Sequence, residues 1–214
     1  MTRTQWIWLS LIALYGAFFS WYTSFGGPLT DEEISTYMTM LEDRQPTPSP
    51  ERLAMMRKFM EEDTGDDFVM INVIDMYETP LQIEGVEPGE TSEEVLGKYM
   101  EYMYPALFAR ACHPVLYGQA ANSAMDLMNA DGMERWTTGA GMRYRSRRDM
   151  LEIASNPAFG GSHEFKVAAM HKTIAFPIDP WVQLGDPRLL LSLLLAMTGC
   201  GLSWREALRR PAGT

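Results

Sequence analysis

Most of the residues that reactive centres are built from are scarce in this chain. Its 214 residues include two cysteines and three histidines. Cys112 and Cys200 lie far apart and fit no metal-ligand or redox spacing, so cysteine does not decide the compartment. His163 and His171 are eight residues apart, about 12 Å along a helix, too far to share one metal without a third element. There is no Gly-rich phosphate loop, no nucleophile elbow, no His-Glu-x-x-His and no placeable Cys–His pair. Positive charge is short as well, with 18 Lys and Arg against 28 Asp and Glu and a pI near 4.8. A polyanionic ligand wants a basic face, so the balance argues against a nucleic-acid partner.

What is present begins with an uncharged run of twenty residues, Trp6 to Phe25. As a helix it would span roughly 30 Å, the thickness of a bilayer's hydrocarbon core. Trp6 and Trp8 stand near one end and Trp21 and Tyr22 near the other, where amphipathic rings settle at membrane interfaces. Arg3 precedes the run and Asp31, Glu32 and Glu33 follow it. By the positive-inside tendency the N-terminus is then cytoplasmic and the main domain extracytoplasmic. The apolar run exceeds the usual ~7–15 residues of a signal peptide, and Ser24-Phe-Gly26 is a weak cleavage pattern, so an uncleaved anchor is expected over residues 1–27.

A second apolar segment occupies residues 181–214. Asp186 and Pro187 read as N-cap and first residue of a helix over Leu189–Trp204, apolar on all sides and about 24 Å long, short for a full span. Arg205, Arg209 and Arg210 follow and suit either a helix C-terminus or a return to the cytoplasm. This helix is expected to touch membrane lipid or a partner, with a second span as the alternative.

Between the two ends lie a helical segment, residues 28–65, and a central domain, residues 66–180. Thr30 with Glu33 reads as a capping box, Arg44–Pro50 breaks that helix, and a short helix follows over Glu51–Glu62. From Phe68 the pattern turns β-rich, and Phe68–Met76 reads as a buried strand. A helix opening at Thr91 with Glu94 follows, with a kink or restart expected at Pro105. His113–Gln119 is a second strand, Arg135–Tyr144 a third with Trp136 on one face, and Lys172–Ile178 a fourth, placed at an edge or strand end by Pro177. Ser146 caps a helix that breaks at Asn156-Pro157 and resumes as far as His171. The order is βαββαβ: an α+β, ferredoxin-like fold whose second sheet face needs a cover, usually a second copy.

The third strand ending "RYRSRRDMLEI", then "NP", then "HEFKVAAMHKTIAFP", resembles an uncharacterised branch of the dimeric α/β-barrel superfamily with a Tyr-x-Ser-Arg motif at the strand–helix joint. The resemblance covers roughly residues 66–180. It implies sheet-to-sheet pairing, while relatives include cofactor-free monooxygenases, decarboxylating or isomerising enzymes, haem-dependent enzymes and proteins of no known chemistry. Fold therefore does not carry function.

Two candidate sites follow. Four arginines fall within six residues, Arg143, Arg145, Arg147 and Arg148. With Ser146 as N-cap, Arg145, Ser146, Arg147 and Arg148 form a candidate anion cradle, the alternative being pairing with carboxylates. Asn72, Trp136, Arg143 and Tyr144 form a candidate pocket of aromatic walls and polar groups. Asn72 and Asp75 interrupt the apolar first strand, and a polar residue there needs a partner. No cofactor or metal is expected, though haem ligation by a histidine follows from the resemblance as an alternative. The expected function is a membrane-anchored, non-catalytic binding or accessory module, dimeric or part of a larger membrane complex. A small-molecule enzyme, oxygenase- or isomerase-like, is the alternative, and an anion sensor a second.

Overall fold

The computed structural model describes residues 1–44, 46–156 and 161–209, so Gln45, Pro157 and Arg210 lie outside the described residues. The chain forms two compact units. One is Ser24–Pro180, and the other joins Met1–Thr23 to the segment from Trp181 onward.

In the larger unit, local signals start the elements where the chemistry requires. Helices α2 (Asp31–Glu42) and α4 (Ser92–Ala109) each open on a full capping box, Thr30 with Glu33 and Thr91 with Glu94. Each box satisfies amide donors that the first helical turn leaves free, worth about 1 kcal/mol per cap. Helix α3 (Pro50–Glu61) is capped by Ser49 with Pro50 at its first position. Pro105 sits inside α4, which runs as one helix through it.

Four strands, β1 (Phe68–Met76), β2 (His113–Gln119), β3 (Thr138–Tyr144) and β4 (Met170–Ile178), form one antiparallel sheet in the order β2-β3-β1-β4. With α4 between β1 and β2, and α5 (Arg147–Ser155) and α6 (His163–Ala169) between β3 and β4, this is the ferredoxin-like order. Pro177 lies on edge strand β4. Two boundaries move. The third strand starts at Thr138, leaving Trp136 in the preceding loop, because Trp136 donates its indole N–H to the Met133 carbonyl and Thr137 is drawn to Ile74. Helix α6 ends at Ala169 and β4 begins at Met170, so His171 is a strand residue and shares no helix face with His163.

Strand alternation divides the sheet into two faces. Phe68 and Tyr144 are paired across β1 and β3 and their rings stack at 5.4 Å. Tyr144 and Met142 pack against the buried cluster of Met103, Leu107, Cys112 and Ile153, which marks this as the helix-covered face. The segment of residues 28–65 packs onto the domain: Leu29, Ile34, Met38 and Met60 share a buried cluster with Leu151 of α5. On the opposite sheet face, Leu116, Ile174, Phe176 and Ile178 are exposed, Leu116 at 64%.

The smaller unit is a pair of contacting helices, α1 (Arg3–Tyr22) and α7 (Pro187–Leu208). Arg3 lies 3.5 Å from Glu206 at one end, and the Arg188 guanidinium sits 5.4 Å over the Tyr22 ring at the other, so the two run antiparallel. Between those ends the Trp8 indole N–H donates to Ser203 Oγ at 3.1 Å. A Cβ on Gly199 would stand 2.7 Å from the Trp8 ring, so only glycine lets the helices approach this closely. Among the described residues one helix, α7, is long and apolar enough to cross a membrane. It exceeds the expected Leu189–Trp204 because the Asp186 cap starts it at Pro187 and it continues to Leu208, about 33 Å in all. Helix α1 falls short of the same hydropathy, since its Trp and Tyr rings, Arg3 and Gln5 dilute the apolar run.

Candidate functional site

The arginine joint follows from its cap. Ser146 Oγ accepts the Asp149 amide at 3.0 Å and donates to Asp149 Oδ2 at 2.8 Å. Asp149, 5% exposed, is gripped from the strand side by Arg145, whose Nε and Nη2 donate to its two oxygens at 2.8 and 2.7 Å. This two-point fork is the strongest geometry a guanidinium and a carboxylate can adopt. The first-turn carboxylate also offsets the two cations that follow it at the wrong end of the helix dipole.

Arg148 forks onto Glu33 at 2.6 and 3.1 Å and also donates to the Gly27 and Pro28 carbonyls. The Arg148 hydrogen bonds, the Thr30 amide and the Thr30 hydroxyl together hold the Glu33 carboxyl at about 2, well below the usual carboxylate range. Arg147 lies 4.5 Å over the Phe59 ring, donates to the Phe59 carbonyl, and stands 3.7 Å from Asp63. Asp63 in turn accepts the Leu29 and Gly65 amides at 2.8 and 3.1 Å. Arg143, 1% exposed, donates to Asp67 at 2.7 Å and to the Ala111 carbonyl at 2.8 Å. Each guanidinium of the candidate anion cradle thus faces a carboxylate, and the joint ties α2, α3 and α5 to the sheet.

The candidate pocket residues are not brought together. Asn72 and Tyr144 share the helix-covered face, Arg143 points to the opposite one, and Trp136 lies in the loop before β3. Asn72 donates to the Met70 carbonyl, two residues back on its own strand, at 3.0 Å. Burial raises the Tyr144 hydroxyl well above its ordinary range, so it stays protonated. A groove of about 670 Å³ lies elsewhere, between α2 and α5, lined by Tyr37, Met40, Glu32, Arg110 and Glu152.

A second polar centre lies at the other end of β1. Asp75 is 3% exposed. His171 Nδ1 approaches Asp75 Oδ2 at 3.2 Å, and Arg135 Nε stands 3.5 Å from Asp75 Oδ1. The pairing of β1 with β4 shifts register between Asp75 and Met76, which turns His171 toward the carboxylate. The interruption of an apolar strand by Asp75 was the one signal of this centre in the sequence. Its partners come from residues 60 and 96 positions away, which no local pattern links.

No family model matches the chain, and no curated protein matches it. Among solved structures it is similar to methylated RPA0582, with 19% identity, 65% of this chain and 96% of that one covered, and a TM-score of 0.51. The likeness is one of fold. A second structure of RPA0582, a protein of unknown function from Rhodopseudomonas palustris, matches at 19% identity over 63% of this chain and 95% of that one, with a TM-score of 0.49. Oxygenase structures also occur among the neighbours. One is SnoaB, a cofactor-independent oxygenase from Streptomyces nogalater, at 12% identity over 56% of this chain and 99% of that one, with a TM-score of 0.32. At these identities nothing is carried over beyond an α+β, ferredoxin-like sheet-and-helix arrangement.

Proposed function

We propose that this chain is a membrane-attached binding or accessory module, in which α1 and α7 lie together in the bilayer as an antiparallel hairpin and the Ser24–Pro180 unit is the working part. The observation that carries the reading is the outer surface of the helix pair. Trp6, Leu9, Ile12 and Leu14 of α1 and Leu190, Leu193, Leu194 and Met197 of α7 are all exposed. In water such a surface would drive aggregation; in lipid it costs nothing. Lengths of about 30 and 33 Å suit the hydrocarbon thickness. Close contact at Gly199 and a Trp–Ser hydrogen bond are the means by which helices associate where no hydrophobic drive exists. Arg3, Arg205 and Arg209 cluster at the end that carries the N-terminus and the end of α7, so that end is cytoplasmic by the positive-inside tendency. The larger unit, inserted between Thr23 and Trp181, is then extracytoplasmic.

A second copy is the proposed cover of the open sheet face, supported by the exposed Leu116, Ile174, Phe176 and Ile178. Alkaline carbonate washing of membranes holding the full-length protein should leave it in the pellet, and release into the wash would end the membrane reading. Sizing in mild detergent should give a dimer that Phe176→Glu converts to monomer; a monomeric wild type would end the pairing reading.

A further inference from the structure

Asp75 is the one acidic side chain of the sheet strands, and it is almost wholly buried at 3% exposure. A buried carboxylate is costly unless its oxygens are matched. Here the match is uneven. Oδ2 takes His171, while Oδ1 has no hydrogen bond and only the Arg135 guanidinium at 3.5 Å. The side chain facing it is not hidden: the His171 ring is 57% exposed and its Nδ1 edge is the one turned inward. The Tyr77 ring meets the imidazole edge-on at 5.2 Å and holds its plane.

We propose that Asp75, His171 and Arg135 form a proton-transfer site, with His171 as general base toward a small apolar molecule carrying an enolisable carbonyl. A carboxylate only accepts, so Nδ1 carries a hydrogen, and in the neutral ring Nε2 then presents its lone pair outward. A base oriented by a third group is the arrangement proton abstraction requires. In the step, the C–H bond beside the carbonyl breaks and Nε2 takes the proton. The electron pair moves into the carbonyl, and the enolate oxygen is held by Arg135. Where a carbon–carbon double bond stands beside that C–H, the enolate is a dienolate; return of the proton to its far carbon moves the double bond into conjugation with the carbonyl and restores the imidazole, so no oxidant or reductant enters.

The neighbouring groups suit that substrate. Val73, two residues before Asp75 on the same sheet face, offers an apolar floor. Arg135 spends one amino group on Glu78, and with both side chains largely exposed that link is a weak one. Lys172 lies 4.8 Å over the Trp136 ring and donates to the Gly132 carbonyl, which adds a second cation and an aromatic wall. The site goes beyond the membrane-module reading and does not depend on it.

The test uses the full-length protein in detergent micelles with 5-nitrobenzisoxazole as probe. A base removes its ring C–H proton, the N–O bond breaks, and a coloured cyanophenolate forms. The wild type should accelerate this over the detergent blank. His171→Gln should lower the accelerated rate about 100-fold, the low end of what a positioned base supplies. Nitrogen-15 spectra should show His171 protonated on Nδ1, and Asp75→Asn should shift that tautomer and cut the rate. His171→Gln changes an exposed ring, so its fold should hold, and circular dichroism checks this. A wild-type rate retained in His171→Gln, no rate above the blank, or a ring protonated on Nε2 overturns the proposal. Carbonate washing is unaffected by any of these outcomes.

Discussion

Replacing Arg143 by Met should unlock the larger unit. The guanidinium is 1% exposed and joins two elements, Asp67 just before β1 and the Ala111 carbonyl at the turn before β2. Ala111 holds a positive φ of 54°, a backbone state that a non-glycine residue keeps only when its surroundings impose it. Methionine matches the aliphatic stem but removes every donor, so Asp67 loses its guanidinium and the Ala111 carbonyl loses a hydrogen bond. Breaking one side of a buried pair costs ~3–5 kcal/mol. Because the Asp67 side chain keeps 23% exposure and can recover some hydration, the low end, about 3 kcal/mol, is expected. For a domain of this size that is roughly 6–12 °C in Tm. Calorimetry of the detergent-solubilised full chain measures it. Pairing Arg143→Met with Asp67→Asn should recover part of the loss, since two neutral groups cost less than one stranded charge. A fall below about 1 kcal/mol, or a double variant no better than the sum of the singles, would refute the view that this pair holds the turn.

Three further outcomes follow from the same contacts. Glu33 is held at about 2 by Arg148 and Thr30, so its contribution is fully present above the ordinary value near 4.5 and is lost as pH falls toward 2. The pair is partly exposed, so at most ~1 kcal/mol is at stake; Glu33→Gln should flatten the urea midpoint between pH 6 and pH 3, and an unchanged slope would remove Glu33 as the cause. Gly65 combines a φ of +82° with a would-be Cβ 2.5 Å from the Gly27 backbone, so Gly65→Ala should cost ~2–3 kcal/mol by denaturant unfolding, where an exposed loop glycine would cost far less. Gly199→Leu should splay α1 from α7, removing the Trp8–Ser203 hydrogen bond; unchanged Trp8 fluorescence against a Trp8→Phe reference would show that the seam tolerates bulk.

How much was legible beforehand divides by range. Caps and prolines act within one turn, so Thr30, Thr91, Ser146 and Asp186 marked their helix starts directly. The run Phe68–Met76 is apolar enough to read as a central strand, and it lies second from one edge of the sheet. The candidate pocket was not legible in this way. Arg143 and Tyr144 are adjacent and so must point to opposite faces, and Trp136 was drawn out of β3 by a local hydrogen bond of its own.

The amino-acid sequence by itself determined the βαββαβ order, because periodicity and capping are properties of neighbouring residues. It also placed four arginines at one strand–helix joint. Only the tertiary structure decided what they meet, since Glu33, Asp63 and Asp67 arrive from separate segments. The same holds for α1 and α7. Their apolar character is written along the chain, but their pairing rests on Trp8 meeting Gly199 and Ser203 from the opposite end of the protein. Contacts at such separation are settled by packing and charge compensation, which no local stretch encodes.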